Sequence, residues 1–384
     1  MKKKILVFCT THDSFRSFLI NHILRLRKNF EIVLVSNFDN KINIYKNLKI
    51  NLIHINIKRK IHLIHDLSTF IKFFLILHSC KPSMILSLTP KAGLFGMLIG
   101  FLCGVKIRLH VFTGQVWANK SGFDRYLLKF FDKLISLFST HLLSDSKGQE
   151  KFLITNKITS KNKIETVHYG SICGVDIKIF KPSIKQKYLI RKKLKINSKS
   201  LVIIYAGRIN HEKGVPLLVD VFYKIKKNFN YNIFLLLIGT DEEGLGPSIN
   251  KKLLQYKNCF SMLNYKSDIH KYFQASDIYC LPSEREGFGM SAIQASSCEL
   301  PVICSDIYGL KNTVIHKQTG IKFRVNNSNA LYRSLVYLIR KKNLRDKYGK
   351  NGRKYIVNFF KDKIVLSKYN IFFRKVLNDY KKTF

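Results

Sequence analysis

The segment Leu201-Val202-Ile203-Ile204-Tyr205-Ala206-Gly207-Arg208-Ile209-Asn210-His211-Glu212-Lys213-Gly214 decides the fold. Its first six residues form a continuous apolar run, too short for a helix and rich in β-branched side chains, as expected of a strand covered on both faces. A helix-length segment follows directly. Gly207 permits a tight exit from the strand, and Gly214 lets backbone approach a ligand at the helix start. Arg208 and Lys213 add two cations where the helix presents its positive end. Such a loop suits a diphosphate. The plainer alternative is an ordinary strand–helix loop carrying solvated basic residues.

The same order recurs in Leu281-Pro282-Ser283-Glu284-Arg285-Glu286-Gly287-Phe288-Gly289-Met290, which leads into Ser291 to Ala295. A strand ends, a glycine-bearing loop follows and a helix begins. The amides of Phe288, Gly289 and Met290 fall at that helix's N-terminus, where a phosphate or sugar hydroxyl is favoured. Glu286 in the loop and Gln294 two turns along the helix are spaced to border one pocket. Taken alone, Glu286 reads equally well as a carboxylate stabilised by the helix dipole.

Outward from these loops, short β-branched runs alternate with helix-length segments. In the first half the spacing predicts strands at Lys4 to Cys9, Glu31 to Ser36, Leu52 to Ile57, Met84 to Leu88, Ile107 to Phe112, His141 to Leu143 and Ile164 to His168. Helices are predicted at Ser14 to Lys28, Ile64 to Ser79, Lys91 to Cys103, Phe123 to Ser139 and Gly148 to Asn156. After Lys181-Pro182 the pattern restarts, with further strands at Ile233 to Ile238, Ile278 to Leu281 and Val302 to Ser305. The tail from Asn329 to Phe384 reads as helices only. Alternation of this kind builds parallel sheets covered by helices. The expected fold is α/β, two Rossmann-like domains facing across a cleft, 1–175 and 176–360, with a C-terminal helix, 361–384, packing back on the N-terminal domain. Ligands of such sheets bind beyond the carboxyl ends of the strands, where both loops sit.

Charge is the unusual quantity, with 67 Lys plus Arg against 24 Asp plus Glu, formally +43. That excess implies anionic surroundings, which nucleic acid, anionic lipid or phosphorylated substrates would all provide. The eight cysteines are scattered without a C-x-x-C pair, which argues against structural zinc and a disulfide scaffold and fits a reducing cytoplasm. Ile5 to Cys9, after Lys2-Lys3-Lys4, is expected to be a core strand rather than a signal peptide, because Thr10 to Asp13 end the apolar run at once. Gly93 to Gly104 is the longest apolar stretch read from the sequence and falls short of the ~20 residues of a transmembrane helix. A buried helix is expected there.

Together the two loops resemble family 4 of the retaining glycosyltransferases, whose members have the GT-B fold and carry G-R-x-x-x-x-K-G, later E-G-F-G, and a pair of glutamates two helical turns apart. The resemblance extends through Gly174-Val175-Asp176 with Phe180, Ile238-Gly239-Thr240, Asp268, Asp277, Pro282, Pro301-Val302 and Thr319-Gly320. In the first half, Val111-Phe112-Thr113-Gly114-Gln115-Val116-Trp117 and Asp145-Ser146 resemble the branch that assembles bacterial O-antigens and capsules. By that resemblance Arg208 and Lys213 hold the donor diphosphate, Glu286 bonds the donor sugar, and Gly207, Phe288, Gly289 and Met290 line the donor site. The second glutamate of the pair is Gln294 here, an amide that still accepts and donates bonds to ribose hydroxyls. On the acceptor side the candidates are His12, Thr113, Gly114 and Asp145. The chain departs from many relatives in having Thr10-Thr11-His12-Asp13-Ser14 in place of a glycine-rich loop, and Thr113 where several have a histidine. His110 is a further histidine to consider, although a core or surface role is the commoner fate of His12 and His110 alike.

The function implied is retaining transfer of a sugar from a nucleotide diphosphate sugar, UDP-linked by expectation, to a glycan on a polyprenyl-diphosphate carrier. No cofactor or metal is expected, since side-chain cations and helix N-termini supply the charge. The expected location is cytoplasmic, peripheral at the inner face of the cell membrane, with an anionic membrane surface as partner and no nucleic acid. The basic cluster Lys58-Arg59-Lys60 precedes a helix carrying Ile64, Leu67, Phe70, Ile71, Phe74 and Leu75 on one side. Most of that stripe is expected to face the N-terminal core. The alternatives are a sugar-nucleotide epimerase or phosphorylase on the same fold, and a non-catalytic basic protein binding membrane or nucleic acid. Dispersed charge and the absence of an RNP or helix-turn-helix signature weigh against nucleic acid.

Overall fold

The computed structural model describes residues 2–39, 45, 48, 50–59 and 61–382, with the side chains of 379–382 excepted; Lys60 of the basic cluster lies outside the described residues. The chain forms two compact units, Met1–Cys173 together with Ile364–Phe384, and Gly174–Lys363.

The first unit runs β1 (Lys4–Thr11), α1 (His12–Ser14), a π-helical turn (Phe15–Leu19), α2 (Ile20–Leu26), β2 (Glu31–Asn37), β3 (Asn51–His54), α3 (Leu63–Cys80), β4 (Met84–Leu88), α4 (Pro90–Leu102), β5 (Ile107–Phe112), α5 (Gly122–Phe138), β6 (His141–Ser144), α6 (Lys147–Thr155) and β7 (Ile164–Glu165). Its sheet is parallel in the order β3-β2-β1-β4-β5-β6-β7. Side chains of β1 alternate between two cores. Ile5, Val7 and Cys9 meet Phe15, Leu19 and Ile23 on one face. Leu6 and Phe8 meet Phe73, Leu77 and Phe95 on the other.

The second unit runs α7 (Ile184–Lys193), β8 (Leu201–Ala206), α8 (Val215–Asn228), β9 (Ile233–Ile238), α9 (Gly246–Lys252), β10 (Phe260–Leu263), α10 (Ile269–Ala275), β11 (Ile278–Leu281), α11 (Met290–Ser297), β12 (Val302–Ser305), β13 (Gly320–Phe323), α12 (Ser328–Arg340) and α13 (Lys342–Phe359). Its parallel sheet has the order β10-β9-β8-β11-β12-β13. Every described residue of β9 is buried, as a central strand covered on both faces requires. Asp277 ties α7 to the sheet by accepting from Lys187 Nζ at 2.6 Å, Arg191 Nη2 at 2.6 Å and the Val202 amide at 2.7 Å. Val175 exchanges backbone hydrogen bonds with Phe360 and Asp362, so the segments entering and leaving this unit run side by side.

α14 (Asp362–Lys382) follows and places Val365, Tyr369, Phe373 and Val376 in the same core as α2. His22 of α2 fixes this junction, with its Nε2 2.6 Å from the Ile172 carbonyl and its ring 4.9 Å from that of Tyr369.

Three sequence expectations need correction. Two strands are shorter than expected: the one expected to run to Ile57 ends at His54, yet Ile55 and Ile57 stay buried as a coil under α3, and the one expected to run to His168 ends at Glu165, short of His168 with its left-handed φ of +56°. Two strands, β10 and β13, were not expected; both lie at sheet edges, where half-exposed residues break the apolar run. The third concerns α3. Thr69, Phe73 and Leu77, four residues apart, face the sheet, while Ile64, Leu67, Ile71, Phe74 and Leu75 point away from it and are exposed. Of the expected stripe only Phe70 turns inward, edge-on to Phe95 at 6.1 Å.

Candidate active site

In the second unit the strand order reverses between β8 and β11, which are paired neighbours. Helices leave such neighbours toward opposite faces and open a crevice at the carboxyl ends. The two sequence loops, 207–214 and 282–289, follow these two strands. They cross at Gly214, whose φ of +69° is left-handed and where a Cβ would lie 2.1 Å from the Pro282 carbonyl oxygen. The close approach that Gly214 permits is therefore to the other loop rather than to a ligand. A second tie joins the Glu284 amide to the Glu212 carbonyl at 2.9 Å.

The crossing brings the charged residues together. Lys213 Nζ lies 2.6 Å from Glu286 Oε1 and 3.4 Å from the Arg285 carbonyl. Arg285 grips Glu212 through Nη2 at 2.8 Å and Nε at 3.2 Å. Arg208 Nη1 donates to Glu242 Oε2 at 2.9 Å, and Asn210 Nδ2 reaches the same oxygen at 3.2 Å. Lys213 and Glu286 side chains are 13% and 15% exposed, whereas Arg208 is 42% exposed. The lysine pair is thus the one least screened by water. Asn210 Oδ1 accepts the Lys213 amide at 2.9 Å and shapes the loop below it. Tyr205, at the end of β8, donates to the Arg208 carbonyl at 2.6 Å, and burial pushes its phenol well above the ordinary range.

Gly289 caps α11 with φ +77°, a conformation that costs a side-chain-bearing residue about 1 kcal/mol or more. The amides of Gly289 and Met290 consequently stand at the positive end of α11. Phe288 turns its ring into a small core with Val175, Ile293 and Phe360, leaving its backbone in the loop, where its carbonyl accepts from Thr313 Oγ1. Met290 and Gln294, one helical turn apart, are the half-buried residues of α11's outer face along with Ser291. Gly207 is exposed at the head of its loop.

In the first unit, Gln149 draws Thr113 and Asp145 together at the carboxyl ends of β5 and β6. Its Nε2 donates to the Thr113 carbonyl and its Oε1 accepts the Asp145 amide at 2.7 Å. Gly114 follows in the same half-buried loop. His12 is elsewhere, after β1 and two strands from β5, buried with Nδ1 3.4 Å from Tyr45 Oη. His110 is sealed in the sheet with Nδ1 2.8 Å from Ser87 Oγ, and burial lowers it from 6.5 to about 3. It is a core histidine. Sequence reasoning missed Gln149, Arg285, Asn210 and Glu242. For Glu242 a signal was present, since Asp241-Glu242-Glu243 is a run of three acids after a strand in a chain poor in acids.

The chain is similar to known proteins along most of its length. Residues 186–355 match the family described as glycosyl transferases, group 1. The capsular polysaccharide biosynthesis glycosyltransferase CapM of Staphylococcus aureus is 30% identical over 356 residues, covering 91% of this chain and 92% of that protein. The UDP-Gal:α-D-GlcNAc-diphosphoundecaprenol α-1,3-galactosyltransferase of Escherichia coli is 25% identical over 305 residues, 79% of this chain and 78% of that one. Among solved structures, Anabaena HepE in complex with UDP and glucose superposes with a TM-score of 0.82 over 97% of this chain and 100% of that chain, at 16% identity. That likeness shows the fold, two Rossmann-like domains of the GT-B type. With the two glycine-bearing loops converging in one unit and a 30% identical relative matched along nine-tenths of its length, the chain belongs to the group 1 glycosyltransferases.

Proposed function

We propose that the protein transfers a sugar from a UDP-sugar to a glycan carried on polyprenyl diphosphate, with retention of anomeric configuration, in assembly of a bacterial O-antigen or capsule. The observation that carries this is the Lys213–Glu286 contact, which unites a diphosphate-type loop and a sugar-hydroxyl carboxylate at one strand edge. The names of the relatives point the same way, since the Escherichia coli enzyme uses UDP-Gal and a diphosphoundecaprenol-linked sugar. HepE, with the same fold, binds UDP and glucose.

In this reading Arg208 and Lys213 hold the diphosphate and offset the charge that grows on it as the bond from the anomeric carbon to phosphate breaks. Glu286 accepts from donor sugar hydroxyls. The backbone of Gly207, Phe288, Gly289 and Met290 lines the donor, and Gln294 bonds the ribose. The acceptor hydroxyl attacks from the face the phosphate leaves, and its proton passes to the departing phosphate oxygen, so UDP is released and no protein base is needed. Thr113, Gly114, Asp145 and His12 belong to the acceptor side, where positioning is the main contribution. The transfer is metal-independent, takes place at the cytoplasmic face of the membrane and involves no nucleic acid.

The experiment that tests the donor assignment is a nucleotide-sugar panel scored by thermal stabilisation. UDP and one UDP-sugar should raise the melting temperature in proportion to the logarithm of their concentration. Stabilisation by GDP- or ADP-sugars with none by UDP would refute it.

A further inference from the structure

The outer surface of the first unit is apolar where a soluble helical layer is ordinarily polar. α3, α4 and α5 cover one face of the sheet and share its core. On α3 the residues Leu63, Ile64, Leu67, Ile71, Phe74 and Leu75 are 38% to 82% exposed. On α5, Phe123, Tyr126, Phe130 and Leu137 are 44% to 74% exposed, and they too recur at helical spacing on one side. The end of α4 adds Phe101 and Leu102. In the second unit the exposed apolar residues are fewer per helix, with Ile184, Tyr188 and Leu189 on α7 and others, such as Leu254, Tyr265 and Tyr337, on separate elements. α4 packs between α3 and α5, and apolar exposure on this scale marks a surface that something covers.

α3 is long and apolar enough by composition to cross a membrane, with 18 residues. Its connections prevent that. It links β3 to β4, two strands of one parallel sheet, and Phe73 stacks on Phe8 of β1 at 4.1 Å. The helix is therefore held flat against its own sheet with its second apolar side outward.

Charge identifies the occupant. Asp66, the acid of α3, is neutralised by Lys91 at 2.8 Å, while Lys72 and Lys81 are exposed. On α5, Lys133 is exposed, Arg125 and Lys129 lie over the Trp117 ring at 5.1 and 5.2 Å, and Asp124 in the first turn is the exposed acid they outnumber. A second copy of a chain carrying +43 would set these cations against their like. An anionic bilayer attracts the cations at the headgroups and accepts the apolar side chains just beneath them.

We infer that α3 and α5 form a two-helix face that lies in one leaflet of an anionic membrane, inserting its apolar side chains rather than resting on charge alone. This deepens the membrane attachment proposed above and rests on it. The test is flotation of the full chain with phosphatidylglycerol-rich vesicles at low salt and at 0.5 M NaCl, for the parent protein and for Leu67→Gln/Ile71→Gln and Phe123→Gln/Phe130→Gln variants. Because the substituted side chains are exposed, melting temperature and UDP affinity serve as controls and should not move. The inference predicts a salt-resistant bound fraction in the parent that falls at least fivefold in each variant while low-salt binding survives. Complete release of the parent at 0.5 M NaCl would overturn insertion but leave electrostatic attachment intact. Binding to no vesicle at either salt would overturn both. A parent dimer in solution that the variants dissociate would assign the face to a second copy and overturn the lipid assignment.

Discussion

Lys213 Nζ and Glu286 Oε1 stand 2.6 Å apart although 73 residues separate them in the chain. The pair is mostly shielded from solvent, and each partner neutralises the other until a donor enters. A diphosphate beside Lys213 and sugar hydroxyls beside Glu286 would take over both roles at once. Lys213→Ala should therefore lower kcat by about two to three orders of magnitude, the usual loss for one electrostatic donor. The fold should survive, since the lysine anchors no core. Near-normal turnover in that variant would remove Lys213 from the mechanism.

Arg208 is held differently, by the exposed Glu242, in a pair 2.9 Å long. A diphosphate must compete with this carboxylate. Exposed pairs are worth ~1 kcal/mol at most. Glu242→Gln is expected to tighten UDP binding about two- to fivefold by titration calorimetry, with Arg208→Ala weakening it. Weaker binding in Glu242→Gln would mean that the carboxylate helps hold the nucleotide.

Gln294 replaces the second glutamate of the family pair. As a single neutral hydrogen-bonding group to ribose it should contribute ~1 kcal/mol, so Gln294→Ala should weaken UDP about fivefold. Gln294→Glu should bind normally. An alanine variant with unchanged affinity would place the residue outside the donor site.

Much of this site was legible because strand β8 and strand β11 are buried on both faces. Their apolar runs have sharp ends, so the loops that follow them could be placed to the residue. What remained hidden depends on partners distant in sequence. Glu242 acquires its meaning only when β9 lies beside β8, and Gln149 only when β5 and β6 bring Thr113 and Asp145 to it. β10 and β13 escaped notice because edge strands lack the second apolar face. The α3 periodicity shows a different limit. Spacing reveals an apolar stripe but not what covers it, and here a narrower set, Thr69, Phe73 and Leu77, takes the sheet.

Two buried histidines make the first unit sensitive to acid. Burial lowers His22 to about 4 and His110 to about 3, both from 6.5. The unfolded chain takes up their protons as pH falls through 6.5, while the folded unit resists doing so. The stability they contribute is therefore complete above pH 6.5 and is lost progressively as pH falls toward 4. Thermal midpoints should drop between pH 7 and pH 5, and His22→Gln should reduce that drop. An unaltered pH profile in His22→Gln would show that another group governs acid lability.

Sugar transfer driven by a cationic diphosphate clamp leaves release of UDP from a UDP-sugar intact in excess EDTA. With a polyprenyl-diphosphate-linked glycan present, release should proceed in EDTA, stop when the acceptor is omitted, and slow by about two to three orders of magnitude in Lys213→Ala. Strict dependence on added magnesium or manganese would exclude a metal-free clamp, and equal release with and without acceptor would exclude sugar transfer.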